Sequence, residues 1–208
     1  MNLIMLDGIM GSGKTLGASL LALDLQQRSN CTLYSNNGLK GSKPFTKLED
    51  FIDVCKQKSS VILLDESHVD IDSRNFNLNS VKYFTSIVFY LRKMRCTILL
   101  TSPLFRNIDT RVQDVTHIYI PVQKNKTHYI YPFYDWQTRK FLKEKKIQKE
   151  IAHSLGSQIY DTYSIVTPLE YPKDRTEFNQ LLNDLKIENE RYYKGYDLSA
   201  KADNVVHF

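Results

Sequence analysis

Five short, predominantly apolar runs recur along the chain: Asn2 to Leu6, Thr32 to Tyr34, Val61 to Leu64, Thr97 to Ser102 and Thr116 to Val122. Runs of this kind, without strict alternation, mark strands buried on both faces of a sheet. The stretches between them follow a different period. Leu16 to Gln27 reads as a helix after the first run. Lys47 to Gln57 carries Leu48, Phe51, Ile52 and Cys55 at helical spacing, and Val81 to Lys93 carries Phe84, Ile87, Val88 and Leu91. Ser67 to Leu78 is polar and reads as irregular, and Ile108 to Asp114 as a short helical turn. Thr127 to Tyr134, with alternating aromatics, predicts a strand that pairs with Thr116 to Val122 as a hairpin across Lys124, Asn125 and Lys126.

Strands alternating with helices predict an α/β fold, a mostly parallel central sheet flanked by helices and joined by right-handed crossovers. The pattern places this core at residues 1–135. Residues 136–208 read as a C-terminal helical appendage: a basic helix from Thr138 to about Ser154, an aromatic stretch from Tyr160 to Tyr163, a polar helix from Thr176 to about Tyr193, and a loose tail. A length of 208 residues suits one such domain with additions better than two domains.

The net charge of +5 is unevenly placed, with one basic group at Arg139 to Lys149 and another at Arg92, Lys93 and Arg95. Such clusters permit a polyanion partner. Cys31, Cys55 and Cys96 are widely spaced and odd in number, which argues against a zinc ribbon or a disulfide framework. Cys31 and Cys96 lie in apolar runs and are expected in the core. No apolar stretch reaches the ~18 residues of a membrane span, and no basic leader precedes a cleavable apolar segment, so a cytoplasmic location is expected.

Candidate chemistry begins where the first strand ends. Gly8-Ile9-Met10-Gly11-Ser12-Gly13-Lys14-Thr15 matches a phosphate-binding loop between a strand and a helix that opens at Leu16. In that context Gly8, Gly11, Ser12 and Gly13, with Leu16 at the helix start as a further nucleotide-binding candidate, turn backbone N–H groups toward phosphate oxygens. Lys14 would contact the β- and γ-phosphates, and the Thr15 hydroxyl would enter a Mg²⁺ shell. Asp65, at the carboxyl end of a buried strand, suits the same Mg²⁺ ion. Glu66 beside it can accept a proton from an attacking water, which favours hydrolysis over nucleotide binding alone. Thr101 and Ser102 end another strand and could hold that water or the γ-phosphate, or equally cap the strand end. His68 could sense the γ-phosphate, or be merely exposed in a polar loop.

The series Asp65-Glu66-Ser67-His68, Asp72-Ser73-Arg74, Leu91-Arg92-Lys93, Thr97 to Ser102 and Ile108-Asp109-Thr110-Arg111 resembles the FtsK/HerA superfamily. That superfamily includes viral genome-packaging ATPases and the zonula-occludens-toxin-like phage assembly ATPases, and the likeness covers about residues 1–122. It implies a RecA-like additional-strand P-loop NTPase fold, with the 97–102 strand between the phosphate-loop strand and the Asp65 strand. It also implies ATP hydrolysis with Mg²⁺ and assembly as a ring, usually a hexamer, that passes double-stranded DNA through its channel by backbone contacts. A neighbouring subunit would supply an arginine to the γ-phosphate, with Arg74, Arg92, Arg95 and Arg111 as candidates. A portal, capsid or membrane protein of a virion would be a further partner. Relatives commonly end the 97–102 strand with a polar sensor, often glutamine, where this chain has Thr101-Ser102-Pro103. Two other readings stay open. Gly8 to Thr15 with Asp65-Glu66 also looks like the thymidine-kinase arrangement, though paired zinc cysteines are missing, and the chain could be an ATP-dependent phage assembly or secretion factor.

Overall fold

In the computed structural model, which describes residues 2–66, 78–160 and 166–203, all five apolar runs become strands of one sheet. The strands are β1 (Leu3–Asp7), β2 (Thr32–Ser35), β3 (Lys43–Pro44), β4 (Ser60–Leu64), β5 (Cys96–Ser102), β6 (Ile118–Pro121), β7 (Gln123–Lys124), β8 (His128–Asp135) and β9 (Lys140–Gln148). The helices are α1 (Lys14–Ser29), α2 (Phe51–Lys56), α3 (Leu78–Val88), α4 (Thr110–Asp114), α5 (Lys149–Ile159) and α6 (Arg175–Asp203). The order across the sheet is β3-β2-β4-β5-β1-β6-β8-β7, with β9 on β8. β2, β4, β5, β1 and β6 run parallel, and β5 lies between β1 and β4, with Leu3 opposite Ile98 and Ile62 opposite Ile98. The fold is therefore the α/β arrangement with the inserted strand.

Alternation along the strands divides the core in two. Ile4, Leu6, Leu33, Leu63 and Leu99 face α1, where they meet Ala18 and Ala22. Leu3, Met5, Ile62, Leu64 and Ile98 face the other way, onto α2, α3 and α6. Burial on both faces explains why these strands are apolar runs rather than alternating ones. Phe178, Leu181 and Leu185 of α6 enter the second cluster, and the Tyr83 and Phe178 rings stack at 4.1 Å.

Three expectations change. The basic segment predicted as one helix from Thr138 to Ser154 is the strand β9 followed by α5. Its Lys, Glu and Leu residues favour a helix locally, but the β8 edge offers a row of free main-chain groups, and the two strands pair over their whole length. The turn between them is set by Asp135, which accepts from the Thr138 N–H at 2.9 Å, and by Arg139 at φ 58. The polar helix α6 extends to Asp203, into the stretch expected as a loose tail. The helix predicted over 47–57 is a tight turn at Leu48–Asp50 leading into the shorter α2. The hairpin expected from the aromatic alternation is present, with β8 antiparallel to both β6 and β7. Among the described residues no helix is long and apolar enough to cross a membrane.

Candidate active site

The loop from Gly8 to Gly13 leaves the carboxyl end of β1 and delivers the chain into the N-terminus of α1. Glycine is required at two of its turns. A Cβ at Gly8, where φ is 153, would lie 2.6 Å from the Val122 carbonyl oxygen, and one at Gly13, where φ is 95, would lie 2.7 Å from the Tyr129 ring. Lys14 lies across the loop, its Nζ donating to the carbonyls of Gly8 at 2.8 Å and Ile9 at 3.2 Å. Burial pulls its pKa down, while the carboxylates of Asp65, Asp7 and Glu66 oppose that shift. Ser12 Oγ is buried with no hydrogen-bond partner among the described residues. A loop with an orphaned hydroxyl, a lysine and a helix N-terminus fits phosphate oxygens.

Three strand ends meet beside it. Asp65, 4% exposed, follows β4, and its Oδ1 accepts from the Thr15 hydroxyl at 3.2 Å and from the Thr101 hydroxyl at 2.5 Å. Thr101 Oγ1 also accepts the Glu66 N–H at 2.9 Å. Thr101 thereby holds the Asp65 carboxylate and the Glu66 main chain together. Glu66 is exposed and held at φ 53, a left-handed conformation that costs a non-glycine residue on the order of 1 kcal/mol. Asn36, after β2, supplies a second anchor: its Nδ2 donates to the Asp65 carbonyl at 3.1 Å and its Oδ1 accepts the Asp65 N–H at 2.8 Å. The donors around Asp65 are all hard oxygens, which suits Mg²⁺ held by few protein ligands and by phosphates. Thr15 and Asp65 are the residues that would hold it.

Ser102 is turned elsewhere, its hydroxyl facing the Leu104 main chain at 3.3 Å. Of the arginines, Arg95 lies at the amino end of β5, away from the phosphate loop, and donates to the carbonyls of Cys55 at 2.6 Å and Gln57 at 3.3 Å while stacking on Tyr192 at 3.5 Å. It ties α6 to that rim of the sheet. Arg111 grips Asp109 through both Nε and Nη2 at 2.8 Å. Arg92 is exposed and forms no ion pair among the described residues. Arg74 and His68 lie outside the described residues.

Residues that the sequence reading did not assign to the site close its other side. A cavity of about 410 Å³ opens over Gly11, Lys14 and Thr15, walled by Tyr129 of β8 and by Gly156 and Tyr160 at the end of α5. The Tyr131 hydroxyl donates to the Gly13 carbonyl at 3.0 Å, and Lys124 Nζ donates to the Gly11 carbonyl at 3.1 Å. Burial, with Asp65 and Tyr129 nearby, pushes the Tyr160 phenol up, so it stays a neutral donor. The signal for Tyr129 and Tyr131 was their two-residue spacing, which puts both rings on one face of β8. Asn36 carried only the signal of a turn.

No protein-family model matches the chain, and comparison with curated proteins gives no match. Solved structures do share the fold. The genome-packaging NTPase B204 of Sulfolobus turreted icosahedral virus 2, in complex with ATP-gammaS, superposes with a TM-score of 0.52 at 11% identity, covering 70% of this chain and 98% of its own. The N-terminal domain of zonular occludens toxin from Neisseria meningitidis gives 0.55 at 14% identity, covering 77% and 98%. The ATPase domain of a third protein gives 0.54 at 8% identity, covering 73% and 83%. The chain thus has the RecA-like fold of P-loop ATPases.

Proposed function

We propose that the chain is a Mg²⁺-dependent ATPase that works as a ring, a hexamer by analogy, and moves double-stranded DNA in viral genome packaging. The observation that carries the hydrolytic part is the Asp65-Glu66 pair, fixed by Thr101 beside Lys14 and Thr15. Mg²⁺, which Thr15 and Asp65 would hold, would supply neutralisation of phosphate charge. Lys14 exchanges its two loop carbonyls for phosphate oxygens, which restores hydrogen bonds to a charge that burial disfavours. The N–H groups of the loop and the first turn of α1 hold the remaining oxygens. Glu66, exposed and with its main chain held by the Thr101 hydroxyl, orients a water and takes its proton as the water attacks the γ-phosphorus, whose bond to the β–γ bridging oxygen breaks so that ADP leaves with that electron pair.

The packaging part rests on likeness of fold to B204 and on the basic excess of the chain. For an arginine acting on a neighbour's γ-phosphate, Arg92 is the described candidate that other contacts leave uncommitted, since Arg95 and Arg111 are engaged within the subunit. The three cysteines are all buried and unpaired, which removes the zinc support expected of a thymidine-kinase-like enzyme.

Phosphate release by the purified protein, with and without duplex DNA and with thymidine as acceptor, tests this reading. Lys14→Ala abolishes turnover, and Glu66→Gln keeps ATP binding while hydrolysis falls by roughly 10²–10³-fold. Parental hydrolysis in Glu66→Gln removes the water-activating role, and phosphate transfer to thymidine overturns the hydrolase.

A further inference from the structure

Strand β9 and the turn before it contribute no residue to the nucleotide site. From Arg139 to Lys149 the chain holds six Lys or Arg against one Glu, a net charge of +5 equal to that of the whole chain. β9 pairs only with β8 and is exposed at eight of its nine residues. Two of its lysines are ion-paired among the described residues, Lys145 with Asp24 at 3.8 Å and Lys146 with Glu144 at 2.9 Å. Arg139, Lys140, Lys143 and Lys149 are not, so their charge is uncompensated locally.

Flat rings lie among these cations. The Arg139 guanidinium sits 3.3 Å from the centre of the Trp136 ring, and Lys143 lies 5.1 Å over Phe133. Phe141, 57% exposed, meets Tyr134 edge-on at 5.6 Å. Phe133 is buried beneath Lys143, so of these rings Phe141 is the one presented to solvent. Fixed positive charge beside an exposed ring is what a phosphodiester backbone selects, the cations for phosphates and the ring for a sugar or base. A membrane surface would need the apolar groups gathered on one side. Here lysines occupy both sides of the strand: Lys143 and Lys145 lie opposite Phe133 and Tyr131 on the side that faces α1, and Lys146 lies opposite Ile130 on the other.

The same hairpin also holds the phosphate loop. Tyr131 bonds the Gly13 carbonyl at 3.0 Å, and Tyr129 fills the space where a Gly13 side chain would stand. In register across the strand pair, Tyr129 and Tyr131 lie beside Ile147 and Lys145 of β9. Any shift of β9 therefore reaches Gly13 through one strand. We infer that the β8–β9 hairpin is a docking strip for a nucleic-acid phosphate backbone, and that Tyr129 and Tyr131 transmit its occupancy to the phosphate loop. This rests on the proposed nucleotide site at Gly8 to Thr15.

Linkage makes the effect reciprocal: a duplex that changes nucleotide affinity is itself bound with affinity changed by the same factor. The test uses the full chain, a fluorescent DNA duplex followed by anisotropy across a salt series, and a fluorescent non-hydrolysable ATP analogue titrated with and without duplex. In Arg139→Gln/Lys140→Gln/Lys143→Gln, duplex affinity falls at least tenfold. The slope of log affinity against log salt shrinks by about 2.7, at roughly 0.9 for each phosphate left unneutralised. Analogue affinity without DNA stays unchanged, and the charge-keeping Lys140→Arg/Lys143→Arg retains duplex binding. Tyr131→Phe binds the duplex normally but loses most of the duplex-induced change in analogue affinity. Unchanged duplex affinity and slope in the triple variant overturn the strip, as does binding to phosphatidylserine vesicles with no binding to duplex. Intact linkage in Tyr131→Phe overturns the transmission. No arm requires hydrolysis, so a failure of the ATPase reading with Glu66→Gln is separable from a failure here.

Discussion

β4 and β9 are opposite solutions to placing charge on a sheet. β4 is buried at all five residues, while β9 is exposed at eight of nine. At the end of β4, Asp65 is held from three directions, by hydroxyls from α1 and β5 and by the Asn36 amide after β2. Along β9 the charges have few such restraints. A carboxylate that would hold one cation at one distance sits where neighbouring strands fix it on both sides, whereas charges that need only present a field can line a free edge. Lysines on that edge also discourage pairing with another chain.

The contrast breaks hardest where the two regions touch. Gly17 of α1 faces Tyr131, and a Cβ there would lie 2.1 Å from the ring. Gly17→Ala is expected to cost about 3 kcal/mol by overpacking, read as a lower denaturant midpoint, and adding Tyr131→Ala should recover part of it. An unchanged midpoint would mean that β8 yields freely and holds nothing in place. Next comes Asn36→Ala, which leaves the buried Asp65 main chain unpaired and should cost about 2 kcal/mol. It should also weaken nucleotide binding, and a calorimetric titration with normal affinity would show that Thr15 and Thr101 suffice to hold Asp65.

A smaller effect belongs to acid pH. The hydrogen bond from Tyr34, with Lys43 nearby, holds Asp53 below the usual carboxylate range, and Arg111 does the same for Asp109. Because the folded pKa values are depressed, these groups stabilise the fold above about pH 4 and cease to as pH falls through the folded values. Melting followed from pH 6 to pH 3 should lose less stability in Asp53→Asn and Asp109→Asn than in the parent. Smallest of all is Lys146→Ala on β9, expected to shift stability by less than about 0.5 kcal/mol because the pair with Glu144 is solvent-exposed. A larger loss in the melting curve would show that the hairpin is braced by its charges.

Sequence pattern carried the centre of the molecule and failed at its flank, for one physical reason. The β1, β2, β4, β5 and β6 runs are buried on both faces, so residue type alone marks them. The loop from Gly8 to Gly13 between β1 and α1, and the position of Asp65-Glu66 at the end of β4, were legible because their spacing is local. β9 was not, since Lys140 to Gln148 is built from helix formers and owes its extended form to pairing with β8. Asn36 was invisible for a related reason: its role depends on β4 lying beside β2, and its sequence shows only a turn. Thr101 read correctly as a strand-end hydroxyl, but its partners, Asp65 and the Glu66 main chain, come from a different strand.

Two of the buried thiols give the molecule a clock of its own opening. Cys96 is fully enclosed by the sheet, and burial holds its pKa well above the usual thiol range. Cys55 is pushed up to about 11 by burial, and its Sγ rests 3.9 Å from the Leu185 carbonyl of α6. Both are protonated and shielded in the folded chain, so a thiol reagent reacts only through transient exposure. If α6 lifts away while the sheet stays closed, Cys55 is alkylated and Cys96 is not. Mass spectrometry of the alkylated cysteines then orders local against global unfolding without any engineered residue.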